Sequence, residues 1–188
     1  MKLLHLNIEQ KMNKVTLGDK NFRTFINSNE LIKAIDLLAE KINIEYANKS
    51  PVFICVLNGS FMFAAELTKR FNYDCTITFI KLSSYDGVKS SGSVHNLIGL
   101  NENITEKDVI IVEDIVDSGL TVESVSEDIL KLNPRSLEIA TLLFKPKAYK
   151  KEMRIKYPAI EVGNEFLVGF GLDYNGLGRN LKEIYIIE

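Results

Sequence analysis

The 188-residue sequence holds only two cysteines and two histidines. No apolar run in it approaches the ~18 residues that read as a membrane-spanning helix. Cys55 and Cys75 sit inside strand-like apolar stretches and lack C-x-x-C or metal-ligand spacing. They read as small core residues in a reducing cytoplasm. His5 and His95 are too few and too far apart for a metal site. Charge of either sign is scarce in net terms: 23 basic against 25 acidic residues leave a formal net charge of −2. That balance gives no basis for general binding to nucleic acid or to an anionic membrane. The N-terminal MKLLHLNIEQK has too short an apolar part, and too early a glutamate, for a secretory signal.

What is present is a globular composition, 46% hydrophobic and 26% charged, at a length that fits one domain over residues 1–188. The scattered apolar residues of 1–26, with Gly18-Asp19, suggest an extended lead-in or a short hairpin. From Asn29 to about Asn48, Leu31, Ile35, Leu38 and Ile42 recur at helical steps, with Asn27 or Ser28 as N-cap. Val52–Leu57 (VFICVL) reads as a buried strand running into Asn58-Gly59-Ser60 and a helix over about Phe61–Arg70. Cys75–Leu82 alternates as a third strand. Residues 83–96, rich in Ser and Gly, read as a long loop, which in a compact domain is either disordered or functional. Asn133-Pro134 ends a helix, and Leu137–Phe144 (LEIATLLF) is another buried strand. Strands alternating with helices predict an α/β fold with a mostly parallel central sheet, its ligands gathered at the carboxyl ends of the strands.

The chain is organised around Val109–Val122, VIIVEDIVDSGLTV. Four β-branched residues predict a strand, Glu113, Asp114 and Asp117 an acidic loop, and Leu120 the start of a helix. Gly119 permits a tight turn, and free amides at a helix start attract an anion, with the Ser118 and Thr121 hydroxyls as further donors. Glu113 and Asp114 suit vicinal sugar hydroxyls, leaving Asp117 for proton transfer. Sugar plus phosphate is the ligand this pattern suggests. Solvated acids and an N-cap are the plainer reading of an isolated D-x-x-D-S-G, though an acidic pair directly after four apolar strand residues weakens it.

This stretch resembles the 5-phosphoribosyl pyrophosphate (PRPP) motif of the type I phosphoribosyltransferases. The resemblance implies that Glu113, Asp114, Asp117, Ser118, Gly119, Leu120 and Thr121 hold the ribose phosphate, and that the loop of Leu57, Asn58 and Gly59 contacts pyrophosphate. Some members carry lysine at the position of Asn58, and related enzymes carry it at that of Leu120. Ser84-Tyr85 is similar to the Ser-Tyr of the family's mobile active-site loop.

A second cluster follows. Lys145 closes the strand LEIATLLF, and EFLVGFGLDYNGLGRNL (Glu165–Leu181) offers an aromatic, glycines, Asp173 and Arg179. A flat heteroaromatic base needs a stacking face and edge contacts, which Phe166, Lys145 and backbone near Leu167 can supply. LLFK and F-x-V-G-F-G-L-D-Y-N resemble the hypoxanthine-guanine branch of the family. That likeness implies the type I phosphoribosyltransferase fold, a parallel sheet flanked by helices with a small hood built partly from terminal segments. It also implies Mg²⁺, a homodimer or homotetramer, and transfer of phosphoribose from PRPP to a 6-oxopurine. By position, Lys145 takes the 6-oxo contact, Phe166 the stack and Leu167 the backbone contact. Asp173 takes the metal and a place beside the purine, Glu113 and Asp114 are further metal candidates, Arg179 takes the pyrophosphate and Asp117 is catalytic. Two other readings compete: a PRPP-binding regulator that targets RNA or DNA, and a transferase for a pyrimidine. The first should show a basic stripe and could lose the purine pocket, whereas this chain is balanced in charge and keeps Lys145 and Phe166. An assay against purines and uracil separates the second.

Overall fold

The computed structural model describes residues 14–82 and 97–188. It opens on a hairpin of β1 (Lys14–Leu17) and β2 (Lys20–Ile26), turned at Gly18. Helix α1 (Ser28–Glu45) starts in a capping box: the Asn27 side chain accepts from the Glu30 amide and the Glu30 carboxylate accepts from the Asn27 amide, both at 3.0 Å. Then follow β3 (Val52–Leu57), α2 (Phe61–Thr68), β4 (Thr76–Leu82), β5 (Leu97–Ile98) and β6 (Asp108–Val116). The chain finishes with α3 (Leu120–Leu130), β7 (Ser136–Phe144), β8 (Tyr157–Glu161), β9 (Leu167–Val168) and β10 (Ile184–Ile187).

Six strands form one sheet in the order β5-β4-β3-β6-β7-β8, parallel except where β5 meets β4. Alternate residues of β3 serve opposite faces, as strand geometry requires. Phe53 and Cys55 pack with Leu31, Ile35 and Leu38 of α1 and Phe63 and Leu67 of α2. Val52, Ile54 and Val56 pack with Val122, Val125 and Ile129 of α3. Each fully buried side chain of this size is worth roughly 1.5–3 kcal/mol, so the two layers fix the central sheet from both sides. A second, antiparallel sheet, β1-β2-β10-β9, joins the two ends of the chain and corresponds to the expected hood.

One expectation is corrected here. Glu113 and Asp114 do not lie in a loop, because β6 continues through both of them to Val116. Its partner decides this: β7 pairs with β6 at Glu113↔Thr141, Ile115↔Leu143 and Val116↔Phe144, so the backbone there is satisfied as sheet. The acidic stretch is thereby a strand end, and the loop proper begins at Asp117. Strands β5, β8, β9 and β10 have no counterpart among the elements that the sequence pattern predicts.

Candidate active site

Strands β3 and β6 are neighbours in register, Cys55 opposite Val112, so their carboxyl ends lie side by side. Each runs through a glycine turn into a helix. Gly119 adopts φ +87°, and a Cβ placed on it would fall 2.5 Å from Tyr149 Cε2 and 2.8 Å from Lys151 Cγ. Only glycine meets both conditions. The Glu123 amide donates to Gly119 O and closes the first turn of α3. The amides before it have no intrahelical acceptor and are open to an anion. Around them Ser118 is half-buried, Thr121 is exposed, and the Leu120 side chain, at 64% exposure, points away from any core.

The carboxylates of β6 are in a different state from solvated acids. Glu113 is 5% exposed, and burial pushes its carboxyl well above the usual range, with the Asp114 charge adding to the effect. Burial likewise raises Asp114 to about 6, against the pull of the Ile115 amide and the Arg179 charge. Asp114 packs against Gly59, where a Cβ would land 1.6 Å from Asp114 Oδ2. Gly171, at φ +106°, presses on the same turn, with an added Cβ only 1.9 Å from Gly59 O. No side chain fits between the three. The Leu57–Asn58 peptide at the head of this turn is cis, and Asn58 is exposed.

Arg179 is tied to that stack. Its Nη1 donates to Gly171 O at 2.7 Å and its Nη2 lies 2.6 Å from Asp173 Oδ1. Asp173 Oδ2 accepts from the Gly176 amide at 2.6 Å. Thus Asn58, Gly59, Asp114, Asp173 and Arg179, widely spaced in sequence, meet around one pair of turns. Among the described residues no three carboxylate, histidine or cysteine groups cluster as a metal cage. The carboxylate oxygens of Asp114 and of the partly exposed Asp173 are still the hard donors that suit a cation taking one or two carboxylates and completing its shell with phosphate and water.

Lys145 and Asp117 form a second focus. Both follow the paired strand ends Val116 and Phe144, and Lys145 Nζ lies 2.8 Å from Asp117 Oδ2. The lysine is 8% exposed, whereas the carboxylate opens to solvent. Phe166 precedes β9 on the antiparallel sheet, 47% exposed, with ring neighbours Tyr174 (6.0 Å, edge-on) and Phe22 (6.5 Å). Leu167 is buried within β9 opposite Ile186. Ser84 and Tyr85 fall outside the described residues. Gly171 as a packing point carries no sequence signal beyond its glycine-rich surroundings, and Tyr149 and Lys151 carry none.

Comparison with known proteins completes the picture. The phosphoribosyl transferase domain model matches residues 24–175. The hypoxanthine-guanine phosphoribosyltransferase of Staphylococcus epidermidis is 42% identical over 144 residues, 76% of this chain and 80% of that protein. The enzyme of the same name from Aquifex aeolicus is 32% identical over 171 residues, 90% of this chain and 96% of its own. Among solved structures, a hypoxanthine phosphoribosyltransferase from Staphylococcus aureus superposes with a TM-score of 0.81 at 36% identity, covering 88% of this chain and 90% of that one. A Bacillus anthracis hypoxanthine-guanine phosphoribosyltransferase with HEPES in its active site gives 0.77 at 35% identity, covering 88% and 96%. The chain belongs to the phosphoribosyltransferase family.

Proposed function

We propose that this phosphoribosyltransferase salvages purines, moving the 5-phosphoribosyl group of PRPP to N9 of hypoxanthine or guanine and releasing pyrophosphate. The observation that carries the reading is the Lys145–Asp117 pair, 2.8 Å apart at the carboxyl ends of β6 and β7. It sets a cationic donor and a proton acceptor side by side, which is what the O6 and N7 edge of a 6-oxopurine requires. A lysine has three N–H donors and can keep Asp117 while giving another to O6.

In the reaction N9 attacks C1′ of PRPP, the C1′–O bond to pyrophosphate breaks, and the proton on N7 passes to Asp117. Phe166 offers the stacking face and the Leu167 backbone the edge near the purine 2-position. The open amides from Ser118 to Thr121 receive the 5′-phosphate, and Glu113 and Asp114 receive the ribose hydroxyls. Burial disfavours the charged form of Glu113, and the Asp114 charge beside it adds to the effect. Asn58, Gly59 and Arg179 face the departing pyrophosphate, whose charge Arg179 offsets. Mg²⁺, which fits at Asp173 with Asp114 and Glu113 nearby, supplies further neutralisation of that charge when bound. We also assign the chain to the cytoplasm, as one domain and as a homodimer or homotetramer.

The test is an assay of the purified protein with PRPP and Mg²⁺ against hypoxanthine, guanine, xanthine, adenine and uracil. Nucleotide from hypoxanthine or guanine is expected. Product from uracil alone, or from no base, overturns the proposal.

A further inference from the structure

Residues 145–151 touch the end of β6 and the loop after it at four successive positions, Val116 to Gly119. The Lys145 amide donates to Val116 O at 2.9 Å and the Lys145 side chain meets Asp117 at 2.8 Å. The Lys150 amide donates to Ser118 O at 3.4 Å. Gly119 is walled in by the Tyr149 ring and the Lys151 stem, 2.5 and 2.8 Å from the place its Cβ would take. One turn along α3, Lys151 Nζ reaches Glu123 Oε2 at 2.5 Å.

The wall is itself stiff. The Ala148 and Tyr149 amides both donate to Lys145 O at 3.1 Å, making a tight turn. The Tyr149 hydroxyl donates to Met153 O at 2.6 Å, and its ring stands edge-on to Phe144, 5.4 Å between centroids. Burial pushes the phenol's pKa up, so it remains a neutral donor. A glycine left unsupported samples left- and right-handed backbone about equally, and amides around it would lose their common aim.

We infer that Tyr149, with the aliphatic stem of Lys151, is a positioning residue for phosphate binding: it holds Gly119 in the left-handed turn that aims the following amides at the 5′-phosphate of PRPP. The inference rests on the PRPP reading above. Lys145 anchors the same segment at the purine end, so the base and phosphate subsites share one rigid piece of chain.

The experiment compares Tyr149→Ala, Tyr149→Phe, Lys151→Ala and Lys151→Met with the unaltered enzyme in Mg²⁺. It reads KM for PRPP, and dissociation constants for IMP and for pyrophosphate. Tyr149→Ala should raise the PRPP and IMP constants about tenfold or more, with pyrophosphate affinity unchanged, because the groups proposed for pyrophosphate lie on the other turn. Tyr149→Phe loses the bond to Met153 O but keeps the ring against Gly119 and Phe144, and its constants should stay within about threefold of the unaltered enzyme's. Lys151→Met keeps the stem and should do the same, while Lys151→Ala should not. An unchanged KM for PRPP in Tyr149→Ala, or an equal loss of pyrophosphate affinity, overturns the inference. Should Tyr149→Ala fail to fold, the two Lys151 variants decide it on the same constants. An unaltered enzyme that makes no nucleotide would refute the proposed function instead. The wall is then read by hydrogen exchange of residues 118–121, faster in Tyr149→Ala than in Tyr149→Phe, and equal rates overturn it.

Discussion

Lys145 Nζ and Asp117 Oδ2 lie 2.8 Å apart because the register Val116↔Phe144 places the residues that follow those two strand ends side by side. A nearly buried ammonium thus has a solvent-facing carboxylate as its partner, and that carboxylate can take a proton from a base. Asp117→Asn preserves shape and hydrogen bonding but removes the acceptor. Turnover should fall by roughly 10²–10⁴-fold while PRPP affinity is kept, as read by kcat and by direct titration. Unchanged turnover would take Asp117 out of the mechanism.

Gly59 tests the packing between the two turns. A methyl group there meets Asp114 Oδ2 at 1.6 Å, and the Gly171 backbone lies close against the Gly59 carbonyl. Overpacking of this kind typically costs about 1–3 kcal/mol. Gly59→Ala should lower the denaturation midpoint accordingly and weaken pyrophosphate binding, because the turn has to move. A variant with wild-type stability and affinity would show that the turn is looser than these contacts require.

Asp114 gives a pH dependence with a definite sign. Its folded pKa of about 6 lies above that of an unfolded aspartate, because burial disfavours the charge. Its contribution to stability is therefore full below about pH 4 and is lost as pH rises through about 6. The loss is roughly 2–3 kcal/mol by pH 7.5, on the order of two pKa units. Without Mg²⁺ or PRPP, Asp114→Asn should be the more stable protein at pH 7.5, with an advantage that shrinks towards pH 4. Urea titrations of both proteins across that range check it. An advantage that stays constant with pH would mean the carboxyl is not desolvated in the free enzyme. The same variant should bind PRPP less well, since the destabilising group is the one proposed for the ribose.

Local chemistry was legible in the sequence where one segment decides its own structure. The four- and three-residue steps of Leu31, Ile35, Leu38 and Ile42 sufficed for α1, as did the apolar run of β3 and the glycine after each central strand. Where a partner decides, the sequence was silent. Two carboxylates after VIIV look like a strand end, yet pairing with Thr141 and Leu143 carries β6 through them. Strand β8 contains Pro158 and β9 is two residues long, too short for any periodicity. The hood joins Phe22 to Ile187, a pairing no local pattern encodes, although the run Ile184–Ile187 is itself strand-like. The site residues were found as types in order along the chain. Their contacts, Tyr149 on Gly119 and Lys145 on Asp117, belong to the tertiary register.

The most direct test of the account compares kcat/KM for hypoxanthine and adenine in the unaltered enzyme. Lys145 offers donors only, and adenine presents a donor amine where a 6-oxopurine presents an acceptor. A site built round such a bond rejects the wrong partner by roughly 10⁴-fold or more. Hypoxanthine should be converted and adenine refused on that scale. Comparable values for the two bases would contradict the assignment of Lys145 and, with it, the 6-oxopurine site.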